Sequence, residues 1–455
     1  MPPGVTPRPR SPMSAAVLLC RVTGPYPGVP QGRSTVQLSL LNTTQPRSYL
    51  FRNARLLDPR FEEAREGYEV LVEDGEFKDV SDRPITARSA HVIDCGGRTL
   101  MPGLIDSHVH VYLSEVNVSL LEHIPVSLLT ARAAPLMLGM LNRGFTTVRD
   151  TGGADWGIKE AVEKGYLPGP RLFISGRAIG PTGGHSDMRR RTDTEEHCRC
   201  CDGMRFTMAI ADGVDGVRAA VREELRQGAD AIKIMVSGGV ASPYDPLDSR
   251  QFSIPEIAVA VEEAEAFKRY VLAHAYTPEA ITRAVGQGVR TIEHGNLIDQ
   301  PTAELLASRQ GYLVANLVAY VTMKERAAQF GMSAEKLEKN ELVLKGGFES
   351  LEICRKAGIK VGFGSDLLGQ LQEEQSREFL LRAEVVSPLE AIRSATLIGA
   401  EIVRMPGRLG VIEPGAIADL LLVDGDPVAN LELLQHQGRS LAAIMKTGRF
   451  HKKLL

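Results

Sequence analysis

The sequence predicts an α/β fold: a (β/α)8 TIM barrel with a small β-sandwich domain built from the N- and C-terminal segments. Three observations carry this. Short apolar runs alternate with helix-period stretches through residues 101–404. Residues able to bind a metal stand at the ends of several of those runs. Turn-punctuated strand patterns lie at both ends of the chain, in 47–100 and 405–455.

Residues 1–46 are rich in Pro, Gly, Ser and Thr, with prolines at 2, 3, 7, 9 and 12, and are expected to form a disordered extension. Met13 offers an alternative start. Strands are expected at Ser48–Phe51, Tyr68–Val72 and Ala90–Ile93, with a hairpin turn at Glu73-Asp-Gly75. So small a set needs a partner. Ala418–Val423 and Ala442–Lys446 supply it, so the two terminal segments close one sandwich. The barrel strands are expected at Leu104–Val111, Phe145–Asp150, Arg171–Ser175, Ala231–Ser237, Tyr270–Ala275, Thr291–His294, Tyr312–Leu317 and Lys360–Ser365. Helices separate them, among them Gly216–Gln227, with Asp215 or Gly213 as its cap, and Pro255–Arg269, where Pro255 suits a first turn. Repeated βα units imply a parallel sheet buried on both faces, and about eight of them imply closure. The alternative is an open doubly wound sheet, but no G-x-G-x-x-G follows an early strand.

With 455 residues and 43% hydrophobic content the chain can bury a large core plus a smaller domain. A formal net charge of −3 argues against nucleic-acid or membrane-surface partners. No apolar run approaches the roughly 20 residues that span a bilayer. The short run Ser14–Cys20 ends at Arg21 without a good cleavage signal. The 6 cysteines form no regular disulfide framework, so a reducing, cytoplasmic setting is expected.

The chemistry begins in Met101-Pro-Gly-Leu-Ile-Asp-Ser-His-Val-His110. Side chains alternate along a strand, so His108 and His110 share a face. Two imidazoles on one face at a strand end can bind a divalent ion. The fifth strand ends in His274, the sixth in His294 and the eighth in Asp366. In a parallel barrel these ends all face one mouth. The fourth strand carries Lys233 in an otherwise apolar run. A buried ammonium is costly and cannot ligate a cation. Reaction with carbon dioxide would turn it into an anionic carbamate able to bridge two metals. Tyr276, two residues after His274, would face the same mouth and could donate to a substrate carboxylate.

These motifs resemble the amidohydrolase superfamily of metal-dependent hydrolases, from about residue 49 to the end. The resemblance rests on the 101–110 motif, Ile232-Lys-Ile-Met-Val-Ser-Gly-Gly239, His274, Glu293-His294, Gly364-Ser-Asp366, Gly407-Arg-Leu-Gly410 and Gly415-Ala-Ile-Ala-Asp-Leu420. Within it, Gly183-Gly-His185-Ser-Asp187, Ala211-Asp-Gly213-Val and Ser237-Gly-Gly-Val-Ala-Ser242 resemble the prolidase- and carboxypeptidase-like dipeptidase branch, near ochratoxinase. The resemblance implies two divalent metal ions: His108, His110 and Asp366 on the more buried one, His274 and His294 on the other, and carboxylated Lys233 between them. Zinc suits imidazole and carboxylate, while manganese, iron and cobalt stay open. It also implies that His185 contacts the scissile carbonyl or a substrate carboxylate, and that the chain forms a homo-oligomer.

The expected reaction is hydrolysis of the amide bond of a dipeptide or N-acyl amino acid by a metal-bridging hydroxide. Asp366 takes the hydroxide proton and passes it to the leaving amine. Alternatives are an ochratoxin-type aryl amide or a cyclic amide, as in imidazolonepropionase, and a non-catalytic oligomeric scaffold. The stretch from Arg189-Arg-Arg191 to Cys201 has Cys198, Cys200 and Cys201 too close for a regular zinc knuckle. A lid over the barrel mouth is the expectation there.

Overall fold

The computed structural model describes residues 47–455 apart from 186, 190, 192–207, 241, 243 and 244. The expected extension at 1–46 and the Cys198, Cys200 and Cys201 stretch lie outside the described residues.

All eight expected barrel strands form: Leu104–Val109, Phe145–Asp150, Arg171–Ile174, Ile232–Met235, Val271–Ala275, Thr291–His294, Tyr312–Ala315 and Lys360–Phe363. Neighbours pair in parallel, with Met235 opposite His274 and Ala275 opposite His294. Ladder hydrogen bonds run within two stretches of sheet, strands one to three and four to eight. Two backbone bonds at each seam, to Ile174 O and to His108 O, join them into a ring. The Asp230 N–H donates to Ile174 O at 2.7 Å, and the Asp366 N–H donates to His108 O at 2.9 Å. The second of these seams ties two of the expected metal ligands together. The first, second, fifth and sixth strands are buried at every residue, as a parallel sheet covered on both faces requires.

Two further strands, Ala178–Gly180 and Met208–Ile210, pair with each other in the connection after the third strand. Three residues carry too little periodicity to be read from sequence. The seventh strand ends sooner than expected, because Leu317 already begins the helix Leu317–Glu325. The helix expected at Gly216 starts at Gly213 instead, behind Asp212. Neither Asp215 nor Gly213 is its cap. The Asp212 carboxylate accepts from the Thr182 N–H and hydroxyl, and the Gly213 N–H donates to Glu256, so tertiary partners satisfy groups that a local cap would have taken. Pro255 does sit in the first turn of Ile254–Ala266, where Ser253 and Glu256 form a capping box.

The terminal segments form one mixed eight-stranded sheet. Its seam is the antiparallel pairing of Thr99–Pro102 with Leu420–Val423, so residues from the two ends of the chain sit side by side. The sheet folds over on itself: the Phe77 N–H donates to Ala416 O and the Gly415 N–H to Phe77 O, both at 2.8 Å. Leu420 and Leu422 pack into the sandwich core with Phe51, Phe77 and Leu100. Leu421 and Val423 point the other way and pack with Met101, Leu104 and Phe145 against the barrel. Burial on both faces explains why this strand reads as an unbroken apolar run. Among the described residues no helix is long and apolar enough to cross a membrane.

A candidate metal centre at the barrel mouth

The first strand delivers Asp106, His108 and His110 at alternate positions. The Asp106 carboxylate, fully buried, accepts from the His108 N–H at 3.0 Å, the Ser365 hydroxyl at 2.6 Å and the Gln375 amide at 2.8 Å. It thus locks the end of strand one to the loop after strand eight. Each histidine has one nitrogen committed. His108 Nδ1 lies 2.8 Å from Glu293 Oε2, and His110 Nδ1 lies 2.9 Å from Gly152 O. Both partners only accept, so both Nδ1 atoms carry the proton. The Nε2 atoms face Asp366 Oδ1, at 3.3 Å from His108 and 3.2 Å from His110, so an unprotonated Nε2 would aim its lone pair at that oxygen. Lone pairs aimed at a carboxylate oxygen repel unless a cation lies between. The donor set therefore fits a divalent ion, and in its absence the same field draws a proton: the pKa of His110 is lowered by burial but raised further by Asp366, for a net rise.

Asp366 and His294 complete the cluster. His108, His294 and Asp366 can each offer a ligand atom within 4.8 Å of the others. His294 Nδ1 lies 3.8 Å from Asp366 Oδ2. The ligand sets expected for two separate ions are therefore not separate here, because Asp366 turns one oxygen to His108 and His110 and the other to His294. Burial raises the Asp366 carboxyl, yet the charges and hydrogen bonds of the surrounding imidazoles hold it well below the usual carboxylate range. His294 has φ 74° and Asp366 φ 49°, the left-handed region that non-glycine residues seldom adopt.

His274 joins the row of rings. Its Nε2 lies 3.0 Å from Gly238 O and so carries the proton, leaving Nδ1 bare. Its ring centroid is 4.5 Å from that of His294. Lys233 is 2% exposed, and its ammonium has no hydrogen-bond or ion-pair partner among the described residues. Burial pulls its pKa down to about 8, against the opposing charges of Glu293 and Asp366.

His185 stacks on His274 with centroids 4.2 Å apart, and its Nδ1 lies 2.8 Å from Ser242 Oγ. Gly239 makes room for it: a Cβ there would come within 1.9 Å of His185 Cε1. Tyr276 stacks on His294 at 5.0 Å, and its hydroxyl is 2.9 Å from that of Tyr320. The Tyr320 hydroxyl in turn reaches His294 Nδ1 at 2.9 Å. His108, His110, His185, His274, Tyr276, His294 and Asp366 thus gather at one end of the barrel.

Sequence reasoning missed the residues behind them. Asp106 was legible, since it shares the parity of His108 and His110. Asp150, which accepts from the N–H groups of Val111, Gly152 and Ala154, and Arg149 carried no signal beyond being charged in an apolar run.

A closed parallel barrel with imidazoles and a carboxylate converging at the C-terminal strand ends defines a metal-dependent hydrolase acting on carbon–nitrogen bonds. The chain belongs to the amidohydrolase family, whose model matches residues 99–449. It is similar to the crystal structure of an amidohydrolase, with 51% identity and a TM-score of 0.87 over 89% of this chain and 99% of that one. It is also similar to a prolidase solved in complex with N-methylphosphonate-L-proline, with 47% identity and a TM-score of 0.87 over 89% of this chain and 100% of that one. Ochratoxinase from Aspergillus niger is 29% identical over 366 residues, covering 78% of this chain and 75% of the ochratoxinase.

Proposed function

We propose that the chain hydrolyses the amide bond of a dipeptide or N-acyl amino acid that carries a free carboxylate. The observation that carries this reading is the pair of imidazole Nε2 atoms directed at Asp366, in a chain 47% identical to a prolidase. His108, His110 and Asp366 would hold one ion, His274 and His294 a second, with Lys233 as a carbamate between them. The ammonium's lack of a partner among the described residues supports the last point. With its pKa lowered to about 8, Lys233 exposes a neutral amine that can add to carbon dioxide and release a proton. When bound, the ions, best matched by zinc, polarise the scissile carbonyl and acidify water.

The chain's own residues handle the proton and the substrate. Asp366 takes the proton of the attacking water and delivers it to the leaving nitrogen. His185 and Tyr276, both in ring contact with His274, are assigned to the carbonyl and carboxylate of the substrate. The ochratoxinase likeness supports a second reading, hydrolysis of an ochratoxin-type aryl amide. Buried, unpaired Cys95 and Cys354 agree with the cytoplasmic setting we assign. The homo-oligomer we assign is read directly by sedimentation.

The test is metal content measured beside a panel of dipeptides, N-acyl amino acids, aryl amides and cyclic amides, with and without bicarbonate. Stoichiometric metal and turnover of the first two classes are expected. A protein that purifies without metal and turns over nothing would be the scaffold instead. Turnover confined to cyclic amides would overturn the substrate class.

A further inference from the structure

Glu293 is fully buried but belongs to no expected ligand set. Neighbours on a strand face opposite ways, so Glu293 and His294 should not both reach the barrel interior. They do because His294 sits at φ 74°, which turns the chain at the strand end. Each Glu293 oxygen has its own partners. Oε1 accepts from Arg149 Nη2 at 2.7 Å and from the Thr291 hydroxyl at 2.6 Å. Oε2 faces His108 Nδ1 at 2.8 Å. Arg149, 1% exposed, is itself held by the Ser107 carbonyl at 2.6 Å and by Thr291 Oγ1 at 3.1 Å.

Stability does not account for this arrangement. An ion pair buried in a barrel core is no more stabilising than apolar residues of the same volume, and often less. Its geometry does have a consequence for His108. With Nδ1 free, an uncharged His108 could carry its proton on Nε2 and hydrogen-bond directly to Asp366 Oδ1, 3.3 Å away, closing the place where a cation would sit. We infer that Glu293, backed by Arg149, is a positioning residue that keeps His108 as the Nδ1–H tautomer with Nε2 open to a metal. This rests on the reading of the centre given above.

Glu293→Gln alone leaves Arg149 buried without its counter-charge, so the decisive variant removes both charges and keeps the volume: Arg149→Met with Glu293→Leu. In metal-stripped protein, zinc affinity measured by chelator competition should fall roughly 10–100-fold in the double variant while it stays folded. Long-range ¹H–¹⁵N spectra of the metal-free wild type should place the His108 proton on Nδ1, with the signal assigned by its loss in His108→Gln. The double variant should shift that proton toward Nε2. Should the folded double variant bind zinc as tightly as wild type, or the metal-free wild type carry the proton on Nε2, the inference fails. A double variant that does not fold leaves the wild-type spectrum to decide. Wild type that binds no zinc would instead remove the functional reading, since the spectrum of the metal-free protein still reports on Glu293 alone.

Discussion

Asp366 holds the centre together because its two oxygens serve different neighbours, Oδ1 toward His108 and His110 and Oδ2 toward His294. Asn keeps the shape and one oxygen but cannot carry the proton. Asp366→Asn should therefore retain metal yet lower kcat by about 10²–10⁴-fold, as read by metal analysis beside steady-state kinetics. Wild-type turnover would take Asp366 out of the mechanism. Lys233 poses the opposite trade. Its side chain is buried, and its pKa is about 8 in place of 10.5. Below pH 8 the folded state bears the penalty of an enclosed charge, on the order of 3 kcal/mol from that shift. Lys233→Met should raise the Tm of metal-free, bicarbonate-free protein at pH 7 while abolishing turnover. A lower Tm would mean that the amine has a stabilising partner after all.

Elements position these groups through backbone clearances. The turn after the fourth strand must pass beneath His185, and Gly239 provides the gap. Gly239→Ala should displace the imidazole and reduce kcat/KM by roughly 100-fold, the scale of a misplacement near 1 Å, with metal content unchanged. Undiminished activity would show that His185 does not touch the substrate. The strand pattern was legible because buried parallel strands are short and stand between helix-period stretches, with apolar runs such as Tyr312–Ala315 among them. The cap of the helix Gly213–Arg226 was not, because Asp212 and Gly213 bond to Thr182 and Glu256, far away in sequence. A local rule cannot anticipate such partners.

For the molecule as a whole, the metal-free barrel encloses groups held in unusual protonation states, and this sets its response to acid. Burial keeps His274 and His294 neutral, well below their ordinary value of 6.5. The unfolded chain binds those protons as pH drops through 6.5 and the folded chain does not, so stability falls with pH in that range. Asp366, with its pKa depressed from 3.8, contributes stability that is present above about pH 4 and lost as pH falls through its folded value. Metal-free protein should accordingly show a lower Tm at pH 5 than at pH 7, with a further drop below pH 4. A flat profile from pH 7 to pH 5 would mean that the two imidazoles are solvated.

The order of the strands, the five residues at their ends and Lys233 within the fourth are legible in the sequence, because alternation and apolar run length act over a few neighbouring residues, and the pairing of the two termini follows because neither short set of strands can bury its own surface. The tertiary fold decided which nitrogen of each histidine faces the cluster, that one carboxylate spans it, and that Arg149 and Glu293 stand behind His108. Those outcomes depend on hydrogen bonds between strands far apart along the chain, and such contacts exist only once the barrel has closed.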